Sequence, residues 1–214
     1  MKPAVGTNSD GATEAGNRPH KMIGHRGRIV ALALVIVAIV LAASAFYSVA
    51  VAPSRTATAE TTSTVFQINA SAVVSAVSEQ DPAGYSTSAT GDLRPSSLEL
   101  SSAGYAILGK PESTANLTVI VFNQVDQAET YFDSFRASVQ GLPGYTDISS
   151  ALRSFEGYGA CYGYGEDVDG IAVAVGICTE GNVFIGVHIT SSNNFATVEG
   201  DLTTLMGAAS GSLS

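Results

Sequence analysis

The chain has 214 residues and a formal net charge of −9, from 10 Lys plus Arg against 19 Asp plus Glu. Charged residues make up 14% of it, against about 25% in an ordinary soluble domain, so the dense basic face that nucleic-acid binding requires is excluded. At 45% hydrophobic residues the chain is also too apolar to be disordered throughout.

Residues 1–28 are rich in Gly, Asn, Pro and Thr and read as a disordered tail too short to bury a core. Its basic end either meets anionic lipid head groups or only sets topology. Residues 29–52 read IVALALVIVAIVLAASAFYSVAVA, with no charge between Arg28 and Arg55. As a helix this run spans about 36 Å, enough to cross a hydrocarbon core of about 30 Å, and it predicts a single transmembrane helix. A cleavable signal peptide is the rival reading, because of the basic flank and Ala43-Ser44-Ala45. The apolar run continues to Ala52, directly before Pro53, which favours an uncleaved signal-anchor.

Before the helix, Lys2, Arg18, Lys21, Arg26 and Arg28 outweigh Asp10 and Glu14, a net of +3; after it, five cations face 17 acids, a net of −12. Positive charge stays inside, so the amino terminus is expected in the cytoplasm and the larger part of the chain outside the cell membrane. Residues 53–64 (PSRTATAETTST) form a polar linker. Residues 65–214 suffice for one extracytoplasmic domain.

Within that domain Ile68, Val73, Val74 and Val77 predict a short helix ending near Asp81-Pro82. Residues 98–100, 105–108 and 117–122 (LTVIVF) read as strands. Ala128, Tyr131, Phe132, Phe135 and Val139 share one face of a helix over 127–140, with Asp126 as N-cap. Phe195, Val198, Leu202, Leu205 and Met206 mark a last helix over 194–206. Helices flanking strands joined by short turns give an α+β domain with an antiparallel sheet and a C-terminal three-stranded meander.

Asp169-Gly170 is a strong type I′ hairpin signal. With those two residues at the tip, Val168 faces Ile171 and, stepping outward, Cys161 faces Cys178 in a non-hydrogen-bonded pair. Its Cα separation of about 4.5 Å is within disulfide reach, so a structural disulfide is expected in an oxidising compartment. The same register puts Tyr162, Tyr164, Ile171, Val173, Val175 and Ile177 on one bulky face, and Cys161, Gly163, Gly165, Ala172, Ala174, Gly176 and Cys178 on the other. That small face either admits a helix closely or meets solvent. A three-residue turn at Thr179-Glu180-Gly181 would place Val183, Ile185, Val187 and Ile189 on the bulky face too.

Catalytic constellations are scarce. His188 is the single histidine of residues 65–214, so any Ser-His-Asp triad would have to be built on it. In an alternating strand it falls opposite in phase to Val187 and Ile189, which gives it a surface or small-face position. No metal or cofactor is expected: one histidine and a paired cysteine set make no zinc site, and Glu166, Asp167 and Asp169 lack calcium-loop spacing. Tyr158, Tyr162 and Tyr164, together with Glu166, Asp167 and His188, are the candidate ligand contacts, the tyrosines as a platform for a sugar or peptide or else as core.

The stretch LTVIVFNQVDQAETYFDSFRASV, then a cysteine-bearing strand and CTEGNVFIGVHI before a closing helix, resembles bacterial extracytoplasmic domains of the PknH-sensor and related lipoprotein kind, and more distantly the PsbP-like α/β/α fold. The resemblance covers about residues 95–208 and rests on element order. The chain differs from the sensor pattern in having one cysteine pair and no lipobox cysteine. The resemblance implies an anchored domain that binds something outside the cell, an envelope ligand or a membrane protein partner, and carries over no site residue. A membrane-anchored, non-catalytic binding or sensor module is therefore the expected function. A hydrolase-type enzyme using acids such as Glu166 or Asp167, and a structural subunit assembled through Ala38 and Ala42, are the alternatives.

Overall fold

A computed structural model of the chain describes residues 65–94, 98–140, 144, 146–152 and 158–213. The expected tail (1–28), membrane helix (29–52) and linker (53–64) lie outside these residues, and no helix among them is long and apolar enough to cross a membrane. In chain order the elements are α1 (Ala70–Glu79), a 3-10 turn (Pro82–Gly84), β1 (Ser86–Asp92), β2 (Leu100–Lys110), β3 (Ser113–Phe122) and α2 (Val125–Val139). There follow β4 (Thr146–Asp147), α3 (Ser149–Leu152), β5 (Ala160–Val168), β6 (Ile171–Glu180), β7 (Val183–Ser191) and α4 (Phe195–Gly211).

The strands form one antiparallel seven-stranded sheet in the order β1-β2-β3-β7-β6-β5-β4. The α+β class and the β5-β6-β7 meander are as expected. The last strand, β7, lies in the middle, bonded to β3 on one side and β6 on the other. Its apolar run is buried on both faces, as suits a central strand.

The first hairpin of the meander has the predicted register. Asp169 and Gly170 both take positive φ, at 55° and 76°, Val168 faces Ile171, and Cys161 faces Cys178. Their disulfide joins Cα atoms 4.2 Å apart.

The second hairpin corrects the expected register. Its turn is the two-residue Gly181-Asn182, and Glu180 faces Val183, where a three-residue turn at Thr179-Glu180-Gly181 was expected. Gly181 takes φ 54°. The side chain of Asn182 is buried and fully used: it accepts from the Phe66 N–H (2.6 Å) and donates to the carbonyls of Phe66 (3.1 Å) and Phe122 (2.6 Å). A register change by an odd number of residues moves a whole side-chain set to the opposite face. Val183, Ile185, Val187 and Ile189 therefore stand with Ala172, Ala174 and Cys178, opposite to the expectation.

Both faces are covered as a result. On the small-residue face, the valines and isoleucines of β7 and β3 pack against α1 and α4 through Val73, Val74, Val77, Leu202, Leu205 and Met206. The glycines there let helices approach closely: a Cβ on Gly163 would stand 3.1 Å from Ile148 Cγ1 and Leu152 Cδ1, and one on Gly165 only 2.3 Å from Phe195 Cζ. The other face carries α2, whose Tyr131, Phe132 and Phe135 pack on Phe122, Phe184, Tyr162 and Ile177.

Element ends also differ from expectation in ways the packing explains. Of the strand expected at 98–100 only Leu100 is in a strand, as the first residue of β2, which runs on through the strand expected at 105–108 to Lys110; β3 begins at Ser113, four residues before its apolar run. β1, with the sequence STSATGD, has no apolar pattern and forms by pairing with β2. The N-cap of α2 is Gln124 where Asp126 was expected; Gln127 Oε1 accepts from the Gln124 N–H at 3.1 Å. α4 runs on to Gly211 and is capped by Asn194, whose side chain accepts from Thr197 N–H at 3.0 Å.

Candidate functional site

The tyrosines of β5 lie under α2. Tyr162 and Tyr164 are buried with ring centroids 6.1 Å apart, and the Arg136 guanidinium of α2 sits 5.5 Å from the Tyr162 centroid. Tyr158 belongs to the opposite face, where its hydroxyl donates to the Met206 carbonyl at 2.9 Å and burial pushes its pKa up. Glu166 is half-buried in phase with Tyr162 and Tyr164, while Asp167 is exposed and of opposite phase. The structure thus brings Tyr162, Tyr164, Glu166 and His188 onto one face and leaves Tyr158 and Asp167 off it.

His188 is the most unusual of these residues. Where a surface or small-face position was expected, the Gly181-Asn182 turn puts it, buried, on the bulky face that carries α2, paired with Asn116 of β3 and Val175 of β6. The residue is 9% exposed, and among the described residues neither Nδ1 nor Nε2 has a hydrogen-bond partner. Burial holds its pKa down at about 4, because the charged imidazolium would lose its hydration without a compensating partner. The ring is therefore neutral at physiological pH, with one donor and one acceptor nitrogen.

On this face the strands beside His188, β3 and β6, carry no charged side chain; Glu166 on β5 and Arg136 of α2 over Tyr162 stand beyond β6. α2 covers the part of the sheet around Phe122, Phe184 and Ile177, and beyond it Asn116, Thr118, Gly186 and Thr190 are only half-buried. Gly186 sits between Phe184 and His188 in the same phase of β7 and lowers the surface there, since it has no side chain. On the neighbouring strand Tyr105 lies against Gly91 of β1, so close that a Cβ at Gly91 would be 2.7 Å from its ring. The result is a shallow strip of amide, hydroxyl, imidazole and phenol groups across the middle of the sheet.

A second polar cluster, absent from the sequence reading, lies on the opposite face. Lys110 Nζ pairs with Asp201 Oδ2 at 2.6 Å, with the two side chains 16% and 11% exposed. It also donates to the Ala83 carbonyl at 3.2 Å and sits 4.6 Å from the Tyr85 ring centroid. The Tyr85 hydroxyl bonds Ser113 Oγ and donates to Asp201 Oδ2, and burial raises its pKa to about 12. These groups satisfy one another and bind the 3-10 turn, where Asp81 and Ala83 take positive φ, to β2, β3 and α4. A shallow cleft of about 440 Å³ beside the start of α1 is lined by Asn69, Ser71, Asp92, Arg94 and Leu98; Ser71 donates to Asp92 there. Among the described residues no group of His, Cys, Asp and Glu is arranged to hold a metal ion.

No family model matches the sequence, and no curated protein does. Among solved structures the chain is similar to the extracellular domain of PknH from Mycobacterium tuberculosis, with 12% identity over 58% of this chain and 79% of that one, at a TM-score of 0.39. That is a partial correspondence of backbone path, and it brings no site residue with it.

Proposed function

We propose that the protein is a membrane-anchored extracytoplasmic binding or sensor module, held by a single helix at residues 29–52, with its amino terminus in the cytoplasm and no catalytic role. The observation that carries the binding role is the strip around His188: a buried imidazole whose two nitrogens have no partner among the described residues, inside a half-open, hydrogen-bonding surface. Unsatisfied buried polar groups are rare in native proteins and concentrate where function requires them. The compartment is supported by the disulfide between Cys161 and Cys178, since such bonds persist in oxidising environments. The apolar run and the charge asymmetry around it support the anchor and its orientation.

Two measurements on the full chain in its native membrane test this reading. Alkaline phosphatase fused after Ser214 should be active, and a photo-crosslinking amino acid at Thr118 should trap an envelope component, while one at Glu199 on α4 should trap none. An inactive reporter, or no adduct specific to position 118, would overturn it.

A further inference from the structure

Resting on the binding reading, we infer that the strip of sheet around His188 binds an uncharged, hydroxyl-rich ligand, a neutral glycan segment, with Gly186 as its floor and Asn116, Thr118, Thr190 and His188 as its hydrogen-bonding groups.

The first argument is the histidine itself. A valine or leucine at position 188 would match Val175 beside it and the apolar sheet centre, yet the chain places there a ring whose two nitrogens find no partner among the described residues. Each such group carries the full cost of its lost hydration while unsatisfied. A ligand that donates to one nitrogen and accepts from the other removes that cost, and a sugar hydroxyl does both. The residue is 9% exposed and both nitrogens are buried, with the half-buried Asn116 facing it across the β3–β7 ladder. A ligand gains access to them through a rotamer change of a covering side chain, of the kind common on binding.

Charge decides the class of ligand. The positions facing outward around His188 on β2, β3, β7 and β6 are Tyr105, Ile107, Thr114, Asn116, Thr118, Gly186, Thr190, Val173 and Val175, without a Lys, Arg, Asp or Glu among them. The imidazole is kept neutral by burial. The charges of this face that flank the strip, Glu166 on β5 and Arg136 of α2 over Tyr162, stand on the far side of β6, so a phosphate or carboxylate placed on β3 and β7 would lose hydration with no counter-charge in contact to offset it. A glycan carries donors and acceptors in about equal number, and its flat C–H face suits an aromatic ring. Tyr105, whose ring lies against Gly91, supplies that ring at the margin of the strip. Gly186 provides the depth: it is half-buried, and a Cβ there would meet only side-chain atoms, Phe184 Cε1 at 3.3 Å and Ile177 Cγ2 at 3.8 Å.

The test uses the full chain in a non-sugar detergent such as lauryldimethylamine oxide. Maltohexaose, mannohexaose and chitotetraose serve as neutral probes, with hexagalacturonate and inorganic phosphate as anionic ones. At millimolar concentration at least one neutral probe should move the imidazole nitrogen resonances of His188 and raise the melting temperature by about 2 °C. Affinity should fall about tenfold or more in Gly186→Leu, which fills the floor, and in His188→Leu. The second variant is expected to fold more stably than the wild type, so its loss of binding cannot be ascribed to unfolding. No response of His188 to any neutral probe, equal binding of hexagalacturonate, or unchanged affinity in both variants would overturn the inference. An adduct at Thr118 that proves to be a protein or an anionic lipid would refute the glycan while leaving the binding module standing. Absence of both adduct and sugar binding would refute the two together.

Discussion

At position 188 a single side chain makes the molecule's stability depend on pH. The imidazole is neutral in the folded chain down to about pH 4, whereas in the unfolded chain it takes up a proton near pH 6.5. The unfolded state thus binds more protons between these values, so the contribution is complete above about pH 6.5 and is lost as pH falls towards 4. The whole difference is worth about 3 kcal/mol. Urea midpoints at pH 7 and pH 4.5 should show a fall in the wild type that His188→Leu lacks. At pH 7 the same variant should be more stable by about 1–3 kcal/mol, because two unsatisfied nitrogens disappear. A wild type and variant with parallel pH profiles would contradict the buried, unpartnered state. That His188 points away from Val187 and Ile189 could be read from the sequence, but which face it takes could not, because the register of the turn before β7 reverses the faces expected. Its lack of partners could not be read either, because that depends on which side chains β3 and β6 set beside it. The disulfide was legible for the opposite reason: Asp169-Gly170 fixes the register locally, and Cys161 and Cys178 then meet by counting. Cys161→Ser should cost about 2–3 kcal/mol, near the chain-entropy value for a loop of this length. The released Cys178 is fully buried, so it should react with a thiol reagent slowly when native and as one equivalent in denaturant.

Between elements, the decisive feature is the alternation of small and large residues across β5 and β6. Gly163, Gly165 and Gly176 leave room where α3 and α4 press on the sheet, and the β7 side chains fill the remainder of that face. Gly165→Val would put a Cβ 2.3 Å from Phe195 Cζ and 3.0 Å from the Val173 carbonyl, at the first turn of α4. Overpacking of this kind costs about 1–3 kcal/mol, and urea titration should report a loss in that range. The sequence predicted the small face and left its cover open. The face of β7 was misassigned because Gly181 fits either a three-residue turn ending on it or a two-residue turn beginning with it. What selects the second is Asn182, whose partners Phe66 and Phe122 are 116 and 60 residues away in the chain. β1 escaped detection because Ser, Thr, Gly and Asp carry no periodic apolar signal, and only pairing with β2 makes them a strand.

For the molecule as a whole, the cluster of Lys110, Asp201, Tyr85 and Ser113 joins the two ends of the domain's sequence. It connects the turn after α1 to the last helix through the β2-β3 hairpin. No local pattern announces it, since each member is an ordinary polar residue until the fold gathers them. Removing one partner of a buried ion pair typically costs about 3–5 kcal/mol, while replacing both with apolar groups of similar size is often nearly neutral. Lys110→Met should therefore be strongly destabilising, and the double variant Lys110→Met with Asp201→Leu should recover part of the loss. A double-mutant cycle with simply additive effects would show that the two groups do not act as a pair.

The Asn182 clamp has a mechanical consequence. A pull on the chain upstream of Val65 is first resisted at Phe66, whose N–H and carbonyl are both held by the Asn182 side chain. Asn182 sits at the tip between β6 and β7 and is itself bonded to the end of β3. Tension applied there is thus delivered to the three central strands, and the edge strand β1 carries none of it directly. A domain loaded at its centre must break several strand ladders together before it opens, whereas one loaded at an edge peels away strand by strand.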